Sequence, residues 1–249
     1  MSDKVAIITG ASRGIGAETA RLFAKNGYFV CLNYVADDEA AENTKNEILS
    51  SGGRCVSVKA DVSIGVEVGR LFDTVDRELG RVSVLVNNAA ILQTRCRLEE
   101  ISEKRFGEVL RINVMSCFLC CKEAVKRMST GKGGVGGAIV NVSSAASKSG
   151  SPNEYIDYAA SKGAVDTLTR GLALEVAAEG IRVNAVRPGL IYTDMHASGG
   201  EPSRVDRLKS TIPLQRGGRP MEVAEAILWL ATAKSSFVTG SFIDVTGGL

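Results

Sequence analysis

Val5-Ala6-Ile7-Ile8-Thr9-Gly10-Ala11-Ser12-Arg13-Gly14-Ile15-Gly16 reads as an apolar strand running into a glycine-rich turn, and a helical pattern opens at once with Ala17-Glu18-Thr19-Ala20. Glycine permits the tight turn and lets a pyrophosphate come close to the backbone. The free N–H groups and positive dipole end of the following helix then stabilise its charge. A glycine triplet alone is a weak signal, but at the head of a first βαβ unit it points to dinucleotide binding. Gly10, Ser12, Arg13, Gly14, Ile15 and Gly16 are the candidate contacts within this turn.

The rest of the chain repeats the alternation. Short β-rich runs at 5–9, 28–34, 55–59, 82–87, 138–142, 181–187 and 242–245 read as strands. Segments 16–26, 38–50, 66–79, 103–128, 155–179 and 222–232 carry helix formers at apolar spacing. Several strands are almost continuously apolar, as in Val82-Ser83-Val84-Leu85-Val86, which suits a sheet covered on both faces. The expected fold is α/β: a doubly wound, seven-stranded parallel sheet in a three-layer α/β/α Rossmann arrangement, with residues 1–249 forming one domain. The glycine-rich stretch 131–137 reads as a flexible turn entering a strand.

Composition narrows the classes of function. The 249 residues are 45% hydrophobic and 23% charged with 27 glycines, enough apolar material for a buried core. Thirty basic and 28 acidic residues are mixed along the chain for a net charge of +2, so no basic stripe marks a nucleic-acid surface. No apolar run reaches membrane-spanning length, and Met1-Ser2-Asp3-Lys4 leads straight into the first strand without a secretion signal. The six scattered cysteines suit reduced thiols in a cytoplasmic protein. Cys117 to Cys120 spells C-x-x-C, but with no neighbouring histidine or second pair it reads as buried apolar thiols, and no metal site is expected.

Chemistry enters with Tyr158-Ala159-Ala160-Ser161-Lys162. Tyr158 and Lys162 stand one helical turn apart, so a phenol and an ammonium share a face. A positive charge beside the phenol favours phenolate and is expected to bring its pKa down toward neutrality, making a proton donor and acceptor for an alcohol or carbonyl. At the end of the second strand, where an acid would select a free ribose 2′-OH, stands Asn33-Tyr34. With Ser12 and Arg13 able to face a 2′-phosphate, this favours NADP(H), while Asp37 and Asp38 keep NAD(H) open as the alternative.

Thr9-Gly10-x-x-x-Gly14-x-Gly16, Asn87-Asn88-Ala89-Ala90, Ser143-Ser144, Tyr158-x-x-x-Lys162, Arg187-Pro188-Gly189 and the closing Asp244-Val245-Thr246-Gly247-Gly248 occur in this order. Together they resemble the short-chain dehydrogenase/reductase family over essentially the whole chain, with a narrower likeness to 3-oxoacyl-carrier-protein reductases and glucose 1-dehydrogenases. The resemblance implies an NAD(P)-dependent oxidoreductase that moves a hydride between cofactor and a secondary alcohol or ketone. It makes Tyr158 the acid/base, with Lys162 as its electrostatic partner and ribose ligand, and gives Ser144 the substrate oxygen. Asn113 becomes the residue that bends its helix and anchors a water linking Lys162 to solvent. It also assigns Asp61 and Val62 to the adenine ring, Asn87 to the adenosine ribose, Ala89 to cofactor contact, and Pro188, Gly189, Ile191 and Thr193 to the nicotinamide wall. Ser144 precedes Tyr158 by fourteen positions, one more than is common in the family, so the loop 147–157 carries an extra residue and Ser143 stays open as the alternative to Ser144.

His196 falls in 193–210, a glycine-containing segment expected to form a substrate flap, where it reads as an ordinary surface or loop histidine with contact to substrate as the open alternative. Arg204, Arg207 and Lys209 read as a solvated charged face, with an acidic substrate as the open alternative, and Gly150, Ser151 and Glu154 border the same mouth. The resemblance further implies a homotetramer built through helices 103–128 and 155–179 and the last strand. A small-molecule alcohol or carbonyl is the expected substrate. A catalytically silent nucleotide sensor or an interaction protein on the same fold is the competing reading.

Overall fold

The computed structural model describes residues 4–249, and the reading of Met1 to Asp3 lies outside the described residues. Alternation along the first strand sets the layers. In β1 (Lys4–Ile8), Ala6 and Ile8 join one apolar cluster and Val5 and Ile7 the other, all four buried. The same two-sided burial continues through β2 (Tyr28–Tyr34), β3 (Arg54–Lys59), β4 (Val82–Asn87), β5 (Gly137–Val142) and β6 (Ile181–Pro188), with β7 (Phe242–Val245) at one edge. All pair in parallel in the order β3-β2-β1-β4-β5-β6-β7.

A parallel sheet apolar on both faces must be covered on both. The helices are α1 (Gly14–Lys25), α2 (Asp38–Ser50), α3 (Gly65–Glu78), α4 (Glu103–Leu110), α5 (Ser116–Met128), α6 (Ala146–Ser149), α7 (Ile156–Val176), α8 (Met195–Ser198), α9 (Arg204–Leu208) and α10 (Pro220–Ala231). Phe23 of α1 and Ile227 of α10 pack with Ile8 and Val86 on one face, while Phe72 of α3, Cys120 of α5 and Val165 of α7 pack with Ile7 and Leu85 on the other. Phe23 and Phe72 are fully buried, each stabilising the fold by about 1.5–3 kcal/mol. This is the doubly wound, three-layer Rossmann arrangement expected from the alternation.

One expectation needs correction. The single helix foreseen over 103–128 is interrupted by a π-helical turn at Arg111–Met115 between α4 and α5. The apolar spacing runs on through it, so periodicity alone does not reveal the break. Segment 131–137 turns into β5 as expected but is closely packed: a Cβ on Gly134 would strike the Met128 carbonyl, and one on Gly137 would lie 2.6 Å from the Ser83 carbonyl. Those glycines serve close backbone approach.

The winding reverses between β1 and β4, which opens a crevice at the carboxyl ends of those strands. A clasp holds its floor. Thr9 Oγ1 accepts from the main-chain N–H of Asn88 and of Ala89, both at 3.0 Å, and Asn88 Nδ2 donates to the carbonyls of Thr9 at 3.0 Å and Gly10 at 2.9 Å. Among the described residues no helix is long and apolar enough to cross a membrane. Cys117, Cys120 and Cys121 are buried free thiols.

Candidate active site

The glycine turn sits on the clasp. Gly10 and Gly14 have φ of +60° and +57°, a left-handed backbone that glycine adopts without strain. A Cβ on Gly10 would lie 2.9 Å from Ala89 Cα, and one on Gly16 2.6 Å from Asn88 Nδ2. Helix α1 starts without a side-chain cap and with no acid in its first turn. Its leading N–H groups and dipole therefore suit an anion, and a pyrophosphate fits the cradle. Thr193 covers the turn, its Cγ2 3.4 Å from the Cβ position of Gly14, while Gly189 packs so tightly on Thr246 that a side chain there would clash. Ile191 is buried and bridges to Gly218.

From the crevice a cleft of about 720 Å³ extends past Ser144, Tyr158 and Lys162 on one side and Pro188, Gly189, Ile191 and Thr193 on the other. Helix α7 carries Tyr158 and Lys162 on one face, with Lys162 Nζ 5.5 Å from the centre of the Tyr158 ring. The ammonium is buried and donates to the Val142 carbonyl at 2.8 Å. Burial pulls the Lys162 pKa down to about 8 and pushes the Tyr158 phenol up to about 12, against an opposing hydrogen bond from Ser144. Burial thus acts against the expected shift of the phenol toward neutrality, opposed by the hydrogen bond with Ser144.

The two serines part company here. Ser143 is 2% exposed, its hydroxyl donating to the Lys162 carbonyl at 3.3 Å. Ser144 accepts from the Ala146 N–H at 3.1 Å and bonds to Tyr158. Asn113 lies in the π-helical turn, 2% exposed. Its Oδ1 accepts from Ile91 N–H at 2.8 Å, and its Nδ2 donates to the Ile91 carbonyl at 3.1 Å and Ser161 Oγ at 3.0 Å. The bulge thereby ties the loop after β4 to α7.

An ion pair that spacing could not reveal fixes the start of α7. Asp157, with its side chain 1% exposed, accepts from Arg105 Nε at 2.7 Å and from the Tyr158 N–H at 2.9 Å. Arg105 also donates to the Thr94 carbonyl at 2.7 Å. Tyr155 was missed too. It is 3% exposed and lines the cleft, with its hydroxyl donating to the Gly199 carbonyl at 3.4 Å. Its only sequence signal is an aromatic beside the extra residue of the 147–157 loop.

Other candidates lie elsewhere than expected. Asn33 is 1% exposed, and its Nδ2 donates to the Val58 and Ala60 carbonyls at 3.2 and 2.9 Å. Its side chain belongs to the β2–β3 seam rather than to a nucleotide. Asn87 likewise turns inward, donating to Asn141 Oδ1 at 2.8 Å and Cys121 Sγ at 3.2 Å. Asp61 stands at the end of β3; burial works against its charge, but Ser63 and Arg111 outweigh it and hold the carboxyl below its usual range. Val62 beside it is buried. His196 is no ordinary loop histidine. It lines the cleft with Nε2 3.0 Å from the Ile191 carbonyl, and burial, with Arg204 nearby, lowers its pKa. Arg204 is 8% exposed and is clamped by Glu154 and Glu201, so only Arg207 and Lys209 belong to an exposed face.

A parallel doubly wound sheet with a glycine cradle at its switch point and a Ser, Tyr and Lys wall beside it defines a nucleotide-dependent oxidoreductase. Comparison with known proteins agrees. The family model described as enoyl-(acyl carrier protein) reductase matches residues 10–249. The chain is 58% identical over 244 residues to the uncharacterized oxidoreductase YgfF of Escherichia coli K12, covering 98% of this chain and 99% of the relative. It is 37% identical over 250 residues to glucose 1-dehydrogenase 2 of Bacillus subtilis, covering 100% and 95%. A blue fluorescent protein from a metagenomic library, solved in complex with NADPH, superposes with a TM-score of 0.89 at 33% identity, covering 98% of this chain and 97% of that one. The chain belongs to the short-chain dehydrogenase/reductase family and is an NAD(P)-dependent oxidoreductase.

The Arg105–Asp157 pair makes a prediction about the site's frame. Arg105→Ala would leave a buried carboxylate without its partner, and we expect a loss of about 3 kcal/mol or more in denaturant unfolding. Asp157→Asn should cost less, since the amide oxygen still accepts from the Tyr158 N–H. Equal stability of Arg105→Ala and the parent would remove the pair from the architecture of the site.

Proposed function

We propose that this chain transfers a hydride between NADP(H) and a secondary alcohol/ketone pair, with Tyr158 as general acid/base. The observation that carries the reading is the meeting of Ser144, Tyr158 and Lys162 on one wall of the cleft that opens from the glycine cradle. When bound, the nicotinamide supplies or removes the hydride. The protein's own task is to hold the carbonyl and manage one proton. In the reductive direction Ser144 donates to the carbonyl oxygen, and Tyr158, protonated at neutral pH because burial raises its pKa, gives its proton to the developing alkoxide. Lys162 is mostly charged below about pH 8, stabilises the phenolate that results and holds the ribose hydroxyls. Asn113 keeps the loop after β4 and the Tyr158 helix in register. Residues 193–210, with α8 and α9, act as the flap over substrate.

The preference for NADP(H) is supported by the state of the acids near β2. Asp38 accepts from Tyr34 Oη at 2.9 Å and pairs with Lys59 at 2.8 Å. Asp37 caps α2 and stands 3.7 Å from Arg13. Asp38 is thus engaged by two partners, while Asp37 is held through Oδ1 by its cap and only loosely by Arg13. Arg13 is more than half exposed in a groove that it shares with Ser12, Asn43 and Thr44, so its loose pairing yields readily to a 2′-phosphate. We also propose a homotetramer. Phe106, Met115, Phe118 and Leu174 stand exposed along α4, the π-helical turn, α5 and α7, an apolar stripe suited to burial between copies.

Three outcomes are expected. Tyr158→Phe should lower carbonyl-dependent NADPH oxidation by roughly 10²-fold or more while NADPH fluorescence titration still shows binding; undiminished turnover would leave the phenol without its role. The parent should favour NADPH over NADH in kcat/KM, and Arg13→Ala should shrink that ratio by roughly 10-fold or more. A parent preference for NADH overturns the cofactor assignment. Light scattering should give four times the chain mass, and a monomer at micromolar concentration would remove the oligomer.

A further inference from the structure

Every charged side chain that lines the cleft is already partnered. Lys162 donates to the Val142 carbonyl at 2.8 Å. Lys148 pairs with Asp244 at 2.9 Å, and Asp244 is shared with Arg187. Arg204, the remaining cation, is gripped from two directions: NH1 donates to Glu154 Oε1 at 3.0 Å and Glu201 Oε2 at 2.7 Å, and NH2 to Glu154 Oε2 at 2.5 Å. Its guanidinium also lies 5.0 Å from the centre of the Tyr155 ring. Two carboxylates grip this buried guanidinium, while Arg207 and Arg95, which share Glu201, stand about half exposed to solvent. The remaining lining is mostly apolar, with Leu92, Tyr155, Met195 and Leu208, and includes His196, Ser149, Ser151 and Thr211 as polar groups.

We propose that Glu154 is a specificity-determining residue: by neutralising Arg204 it reserves the cleft for uncharged, largely apolar ketones and alcohols and excludes substrates bearing a carboxylate. The inference rests on Tyr158 acting as the acid/base. A carboxylate entering beside Arg204 would be desolvated where that guanidinium is already held by two carboxylates, a large penalty. It would also meet the negative charge of Glu154 itself. Arg204 has the geometry to bind such a group bidentately, but only after losing one of its present partners. Glu201 cannot take over the neutralising role alone, because it also pairs with Arg207 and, at 3.4 Å, with Arg95.

The test uses a matched pair, acetophenone and its para-carboxylate 4-acetylbenzoate, with NADPH and Tyr158→Phe as the blank. The parent should reduce the neutral ketone with a kcat/KM roughly 10²-fold above that of the carboxylate. Glu154→Gln keeps the side-chain shape and frees one positive charge, so this ratio should fall by roughly 10-fold or more, chiefly through a lower KM for 4-acetylbenzoate. Glu154→Gln/Arg204→Met, which has no guanidinium, should return to discrimination against the carboxylate. A parent that takes both ketones equally well, or a Glu154→Gln ratio equal to the parent's, overturns the inference while leaving Tyr158 in its role. Parent turnover no faster than the Tyr158→Phe blank on either ketone overturns both.

Discussion

The clasp between Thr9 and Asn88 is the constraint on which the site depends. A doubly wound sheet has one place where its winding reverses, and there the chains leaving neighbouring strands diverge and open a gap. Divergence alone would give a loose mouth. Here one hydroxyl accepts two main-chain N–H groups from the β4 side, and one amide returns two bonds to the β1 side. All four bonds lie within 3.0 Å, so the ends of β1 and β4 hold a fixed separation. Gly10 and Gly16 then have only one route through the space left to them, pressed against Ala89 and Asn88. The anion cradle is therefore a consequence of hydrogen bonding beneath it.

Electrostatics on the other wall follows from burial. The sheet delivers Val142 beneath α7, and its carbonyl takes up one proton of Lys162. The ammonium is thus held, desolvated and more easily deprotonated than a surface lysine, while the phenol above it is harder to ionise. The two shifts run in opposite directions for one reason: each favours its neutral form in a poorly hydrated site.

The fold was legible because two-sided burial leaves a direct imprint: strands that are apolar without interruption, separated by helix-length amphipathic stretches. β2, β4 and β7 fall where the pattern put them, and most other ends lie within a residue or two. The glycine cradle and the placement of Tyr158 with Lys162 on one helical face were legible for the same reason, being set by spacing within one element. Features determined by distant partners were not. Asn33 and Asn87 read as polar residues at strand ends that should face a ligand, yet the Val58 and Ala60 carbonyls and the amide of Asn141 claim them. Arg204 read as solvated because its partner Glu154 stands fifty positions away in the chain. The π-helical turn was hidden because its apolar residues continue the pattern on either side, and only the pull of Ile91 on Asn113 distinguishes it.

The loop from Gly150 to Tyr155 shows how such long-range pairs can shape a site. Ser151 and Asn153 adopt φ of +46° and +60°, a conformation that asparagine tolerates and serine resists. Backbone strain of this kind, about 1 kcal/mol or more for the serine, persists only where surrounding contacts outweigh it. Those contacts are present. The Glu154 carbonyl accepts from Cys96 N–H at 3.0 Å, the Glu154 carboxylate grips Arg204, and Tyr155 packs its ring under the same guanidinium while its hydroxyl reaches Gly199. Three stretches far apart in the chain, around Cys96, Glu154 and Arg204, are therefore locked by one short loop. The strained backbone, the Tyr155–Gly199 contact and the grip of Glu154 on Arg204 thus lie on one short continuous stretch of chain.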